Sequence, residues 1–387
     1  MKNNLLILLV FLTLTLISCN TKESVKEKGK SSDLIAKDFI LRFPNPDSIH
    51  WVGQNNHFSW QAGYIMFAME KMWINTGDSV YFNYIKRYVD QQVDEEGNVP
   101  DFKNNALDNF IPGYAILFMY EHTGLEKYKI AATNVREGFM GYPRASNGLF
   151  LHASEEWCKG QSWVDGVYMA GIFNARYGKV MGDSSAFEEL VKQMTLITQI
   201  CQKENGLLLH GWNEDKSAIW ADKTTGLAPE VWSEGLGWFA VLIADVFDFL
   251  PKDKPEREFL MSTLQKLCAG LKYSQDSATG MWCQVVDKPY EAGNWNETSG
   301  TAMFTYLLQN SIEKGYIAVA EYQSVVDKAY HGLQTKVVKN DQGFLDLKDC
   351  SSIGILKSYA DYIAQPKEVS TFAAFGSFIL GTSVVEY

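Results

Sequence analysis

From residue 33 onward, segments that are apolar around their whole circumference alternate with segments that carry charge on one face. "FSWQAGYIMFAMEKMW" (58–73) and "LDNFIPGYAILFMYEHTG" (107–124) are of the first kind; "DSVYFNYIKRYVDQQV" (78–93) and "LEKYKIAATNVREGFM" (125–140) are of the second. The same order returns at 163–180 and 185–202, at 232–250 and 256–271, and at 298–315 and 319–334. A helix apolar all round has to be buried, and one with a single polar face lies at the surface. Five inner–outer pairs are visible, and the segment at 34–41 with the closing "TFAAFGSFILGTSV" supplies a sixth. Six helical hairpins closed into a ring make an all-α (α/α)6 toroid.

A short motif punctuates the pairs. "NGLFLH" (147–152) returns as "NGLLLH" (205–210), with looser relatives "EGNVPDF" (96–102), "TGMWCQVVD" (279–287) and "QGFLDL" (342–347). Each joins a turn residue and a glycine to alternating apolar residues suited to a short strand, and each precedes the next buried helix. The repeat predicts short β-hairpin strands at one rim of the ring. Inner-helix N-termini follow them, so side chains from several repeats gather around one cavity. With no Pro/Gly-rich linker in between, residues 33–387 read as a single domain.

The N-terminus has a separate logic. Lys2 precedes an apolar run from Leu5 to Ile17, and Ser18-Cys19 follows. This run is too short to span a bilayer comfortably and reads as a signal segment, residues 1–19. "LISC" resembles a bacterial lipoprotein signal, which implies lipidation of Cys19, a membrane attachment through that lipid alone, and a place in the cell envelope. The polar stretch 20–32 reads as a flexible tether. The other five cysteines form no CxxC pair and are read as core thiols or at most one disulfide, not as a metal site. A net charge of −11 without a basic run beyond the N-terminus argues against a nucleic-acid partner. The 11 Trp, 19 Tyr and 22 Phe fill a large core and also offer flat faces to sugar rings.

Three clusters stand at the starts of buried helices. Asp108 in "NALDNF" reads as a catalytic acid or, more plainly, as a helix N-cap. Asp165 in "CKGQSWVDGVYMAG" lies among Trp163, Val164, Val167, Tyr168 and Met169, where burial raises a carboxyl pKa and holds a proton ready for transfer. "HGWNED" followed by "APEVWSEGLGWF" brings His210, Trp212, Trp232 and Trp238 as a polar donor and stacking faces.

Taken in order, "LDNF", "WVDGVYM", "LHGW", "GLGWFAVLIADVFDFLP" and "DKPYEAGNWNETSGTAMFTYLL" resemble the unsaturated glycuronyl hydrolases, in particular glycoside hydrolase family 105, over about residues 33–387. The resemblance implies a toroid without metal or cofactor that removes Δ4,5-unsaturated uronic acids from the non-reducing ends of lyase-generated oligosaccharides. It makes Asp165 the general acid and base, and Asp108 the second essential aspartate. It assigns His210, Trp212 and Trp238 to the substrate pocket, with His152 and Trp163 beside them. Where many members carry Arg in "W-x-R-G-x-x-W", this chain has Glu234 in "WSEGLGW". Arg suits a uronate carboxylate, whereas an ionised Glu facing the cavity repels it. That departure is similar to the branch acting on ulvan oligosaccharides, with rhamnogalacturonan fragments as the alternative substrate. A glycan-binding lipoprotein that has lost the chemistry is the alternative of another class.

Overall fold

Caps write each helical hairpin locally. Ser59 Oγ accepts the Ala62 N–H and opens one helix, Gly77 at φ 69° ends it, and Asp78 accepts the Val80 N–H to open the next. A short polar side chain satisfies an orphaned helix-start donor, and glycine enters the left-handed region without strain. The computed structural model describes residues 29–50, 56–352 and 354–387, and these form thirteen α-helices. In chain order they are α1 (Ser31–Arg42), α2 (Trp60–Thr76), α3 (Ser79–Gln92), α4 (Pro112–Thr123), α5 (Glu126–Glu137), α6 (Val164–Met181) and α7 (Ser184–Cys201). There follow α8 (Ser233–Phe249), α9 (Glu256–Ser274), α10 (Thr298–Glu313), α11 (Val319–Gln334), α12 (Tyr359–Ala364) and α13 (Phe372–Glu386).

Helices α2, α4, α6, α8, α10 and α13 are buried along most of their length, while α3, α5, α7, α9 and α11 bury one face. The buried helices pack in the order α2, α4, α6, α8, α10, α13 and back onto α2. The ring is closed, and the (α/α)6 toroid expected from the alternation is the fold. Its sixth pair is α1 against α13. Glu386 pins that seam by accepting the backbone N–H and the hydroxyl of both Ser31 and Ser32, and the Tyr330 hydroxyl. Helix α1 therefore starts two residues inside the stretch expected to be a tether. Residues 1–28, with the signal segment and Cys19, lie outside the described residues. No helix among the described residues is long and apolar enough to cross a membrane. Cys158, Cys201, Cys268, Cys283 and Cys350 are all buried and free.

Two local expectations change. The helix expected over 107–124 is a 3-10 turn at Leu107–Phe110 followed by α4 from Pro112. Proline has no N–H and a helical φ, so it takes the first helical position. Asp108 is thereby left ahead of α4 and does not cap it. The rim strands are only two or three residues long, and only two of the six lie within a copy of the motif. They are β1 (Gln161–Trp163) with β2 (Gly211–Asn213), β3 (Trp282–Cys283) with β4 (Asn296–Glu297), and β5 (Val337–Lys339) with β6 (Leu345–Leu347), each pair antiparallel. No strand forms over 96–102.

The repeated motif builds one turn twice. Ala145 and Lys203 donate to the carbonyls of Leu149 and Leu207, and Gly148 and Gly206 donate back to Ala145 and Lys203. The rim carbonyls then serve another purpose, which is why long strands do not form. Leu107 N–H donates to His152 O at 2.9 Å, Val164 to His210 at 2.9 Å, Ser233 to Gln284 at 3.0 Å and Thr298 to Asp349 at 3.0 Å. Four of the six inner-helix units, those of α4, α6, α8 and α10, are thus laced at their start to the rim of the following repeat.

Below the rim the axis is filled. Trp238 of α8 and Tyr168 of α6 meet Tyr64 of α2, with ring centroids 4.5 and 6.0 Å away, across the ring. Beneath this aromatic layer, Lys71 pairs with Asp245 at 2.6 Å and Arg176 with Glu70 at 2.6 Å, again joining helices that are not ring neighbours. The toroid is therefore a bowl open at the rim. The rim turn yields a test. Gly206 has φ 87°, and a Cβ there would stand 2.1 Å from the Lys266 carbonyl oxygen. Gly206→Ala is expected to cost about 2–4 kcal/mol in a denaturant titration, combining backbone strain with a rigid clash. An unchanged midpoint would show that the turn relaxes freely.

Candidate active site

Lacing gives the rim a repeating register. The residues that follow the four laced N–H groups are Asp108, Asp165, Glu234 and Ser299, at successive stations around the bowl. At the last three stations the next residue is a glycine. A Cβ on Gly166 would stand 2.8 Å from His152 Nδ1, and one on Gly235 would stand 2.0 Å from His210 Nδ1. Glycine is required there because each histidine ring lies on the first turn of the next inner helix. The two copies of the motif end on histidine for a positional reason: both rings fall between stations.

The result is a row. His152 Nε2 stands 3.8 Å from Asp108 Oδ1, and its Nδ1 stands 3.7 Å from Asp165 Oδ1. His210 Nε2 stands 3.7 Å from Asp165 Oδ2. The side chains of Asp108 and Asp165 keep 28% and 14% of their surface exposed, so both remain reachable from the bowl while both imidazoles are buried. Trp163 stacks on His152 with centroids 4.0 Å apart and planes at 14°, and fixes that ring between the two acids. Neither ring nitrogen of His210 has a hydrogen-bond partner among the described residues.

Burial dominates the electrostatics of the row. It pushes the Asp165 carboxyl up to about 6; the nearby Asp108 carboxylate adds to the rise and His152 opposes it. Burial also raises Asp108, again against His152. For His210, burial and then the charge of His152 push the imidazole down to about 3, so it is neutral at ordinary pH. One carboxyl poised near neutrality, a second carboxyl beside it and a neutral imidazole in contact suit proton transfer to a bound molecule.

Of the residues singled out in the sequence, Asp108, His152, Trp163, Asp165 and His210 come together. Trp212 stands aside, its indole N–H donating to the Thr225 carbonyl at 3.1 Å in the next loop. Trp238 is buried in the aromatic layer under the row and has little open face. Glu234 occupies the third station but is only 1% exposed, with its Oε2 2.7 Å from Ser299 Oγ. Burial first, and Glu297 second, hold its carboxyl well above the usual range. It is not the exposed anion that its place in the motif suggested.

The sequence reading passed over two features. Trp157 is 57% exposed and edge-on to Trp163 at 5.8 Å, extending the aromatic shelf from His152 toward solvent. It stands in the same "HASEEW" run as His152, five residues on. Ser299 holds the fourth station, and aligning "LD", "VD", "SE" and "TS" ahead of the inner helices would have found it.

The profile of Glycosyl Hydrolase Family 88 matches residues 31–386. Among solved structures, a C. acetobutylicum glycoside hydrolase from family 105 is similar at 26% identity with TM-score 0.84, covering 92% of this chain and 99% of that one. The unsaturated rhamnogalacturonyl hydrolase YesR of Bacillus subtilis is 25% identical over 300 residues, 74% of this chain and 83% of that protein. An unsaturated 3S-rhamnoglycuronyl hydrolase of Formosa agariphila is 24% identical over 238 residues, 57% of this chain and 60% of that protein. With its toroid, its rim of acids and a match over nearly all of the described residues, the chain belongs to Glycosyl Hydrolase Family 88 and is a glycoside hydrolase of the unsaturated-uronyl kind.

Proposed function

We propose that this enzyme removes a Δ4,5-unsaturated uronic acid from the non-reducing end of lyase-generated, rhamnose-containing oligosaccharides. The observation that carries the reading is Asp165, a carboxyl raised to about 6 between two histidines at the open end of the bowl. In its protonated form Asp165 gives its proton to C4 of the vinyl ether, and the positive charge that develops is shared between C5 and the ring oxygen. Water adds at C5 and returns a proton to the Asp165 carboxylate. The hemiketal formed at C5 opens and expels the remaining sugar. Among the described residues no hydrogen bond occupies the Asp108 carboxyl, which is 28% exposed and is placed to hold a hydroxyl of the unsaturated ring. His210, neutral and with nitrogens unpartnered among the described residues, is a second contact for that ring. The exposed face of Trp157 offers a shelf to the sugar that follows.

An ulvan-type substrate is favoured over rhamnogalacturonan. Its support is the station of Glu234, where a neutral carboxyl stands in place of the arginine that would clamp a uronate carboxylate. We also propose that the protein is attached to the cell envelope through a lipid on Cys19, on the strength of the "LISC" sequence.

Asp165→Asn keeps the shape and loses the proton. It should lower kcat by at least about 10²–10⁴-fold, followed as loss of the enol-ether ultraviolet absorbance of a lyase-generated disaccharide. A variant with a tenth or more of wild-type turnover removes Asp165 from this role. A flat signal from the wild type against ulvan- and pectin-derived substrates alike would instead indicate a glycan binder.

Because the acid form of Asp165 is the active one, kcat/KM should fall as pH rises through about 6. Asp108→Asn removes a charge that raises Asp165, so the same titration, followed by carboxyl carbon NMR, should move to lower pH. A midpoint that stays in place separates the two carboxyls.

Cys19→Ser should move the protein from the membrane fraction to the soluble fraction. Unchanged fractionation excludes the lipid anchor.

A further inference from the structure

Ser299 Oγ contacts two carboxyls, Glu234 Oε2 at 2.7 Å and Glu297 Oε1. A hydroxyl carries one hydrogen, so it donates to only one of them, and the second contact is attractive only if that carboxyl brings its own proton. Glu297 already accepts the N–H of Ser299 at 2.7 Å, of Gly300 at 2.6 Å and of Ser351 at 3.0 Å, and the Ser233 hydroxyl at 3.0 Å. It also caps α10, where the helix dipole favours an anion. Glu297 is therefore the ionised member, and the proton belongs to Glu234.

We propose that Glu234 works as an un-ionised acid, a positioning residue that donates to Ser299 Oγ while Ser299 donates to Glu297, locking the first turn of α8 to the first turn of α10. What the lock positions is His210. Its ring rests on Gly235, the residue after Glu234, and its Nε2 faces Asp165 at 3.7 Å. The groups that act on Glu234 come from four directions: Glu297 and Ser299 at the start of α10, Asp165 on α6, Tyr64 on α2, and Cys350 after β6. None of these is cationic; the Ser299 hydroxyl alone favours the ionised form, and burial and Glu297 outweigh it and hold the proton on. Because the folded-state pKa is raised, the stability gained is present at low pH and is lost as pH rises through the folded value.

The proposal relies on Asp165 as the acid only for its kinetic readout; a spectroscopic readout tests it separately. In infrared difference spectra between wild type and Glu234→Gln at about pH 8, where an ordinary carboxyl is ionised, the wild type should show a protonated-carboxyl C=O band that the variant lacks. Glu234→Gln keeps a neutral donor and should hold kcat within about threefold of wild type, whereas Glu234→Ala should lower kcat about tenfold or more with little change in KM. Ser299→Ala removes the same bridge and should reproduce the alanine result, which covers the case in which Glu234→Ala fails to fold. The decline of the thermal midpoint at alkaline pH should be smaller in Glu234→Gln than in wild type. The proposal is overturned if the band is missing, if Glu234→Gln falls as far as the alanine variant, or if both bridge-breaking variants turn over at the wild-type rate. If the wild type does not consume the enol ether, the functional reading fails and the infrared band still decides the state of Glu234.

Discussion

The backbone hydrogen bond that ties four of the six inner-helix starts to the rim carbonyl of the following repeat is the bond on which the rest of the molecule hangs. Taken singly, such a bond contributes only about 0.5–1.5 kcal/mol. Its importance is geometric. It fixes which residue comes next, and that residue is Asp108, Asp165, Glu234 or Ser299. It also fixes which side chain the rim presents between stations, and twice that is a histidine. The row of acids and histidines is thus a consequence of the fold repeat and not an addition to it. Mutating a single hairpin turn would disturb two stations, because each rim segment serves the helix before it and faces the helix after it.

Burial does the electrostatic work, and the layers under the row explain why burial is so complete. Tyr64, Tyr168 and Trp238 cross the axis directly below the stations, and the Lys71–Asp245 and Arg176–Glu70 pairs cross it lower down. Asp108 and Asp165 above them keep only 28% and 14% of their side-chain surface exposed. Buried ion pairs of this kind add little net stability, since desolvation offsets their attraction. They do tie opposite helices of the ring together, which keeps the bowl from widening. A wider bowl would hydrate Asp165 and return its carboxyl toward the ordinary range.

Much of the architecture was legible because the helical period and the alternation of buried with amphipathic segments are properties of single segments. The seam between α1 and α13 was legible for the same reason, although its partners lie at the two ends of the chain. Asp108 and Asp165 stood out as acids in apolar surroundings. Trp212 and Trp238 were harder, because the identity of an indole does not say which way it points. One is spent on the Thr225 carbonyl and the other on the aromatic layer. Glu234 was legible as a departure from a motif, but its charge state was not. That depends on a serine 65 residues further along the chain and on the hydrogen that this serine can give only once.

The seam has a consequence for how such a chain comes to be folded. Glu386 gathers the first turn of α1 across a sequence separation of up to 355 residues. Until the ribosome has released the segment that becomes α13, α1 has no groove to fill and α2 has one flank open to water. Hairpins between them can dock on one another in order of synthesis, since each contacts its neighbour in sequence. The last docking event of the ring then joins α13 to α1 and α2, which were made well before it, and the incomplete ring before that exposes an apolar edge on each side. A nascent horseshoe of this kind is the species that a holding chaperone would recognise.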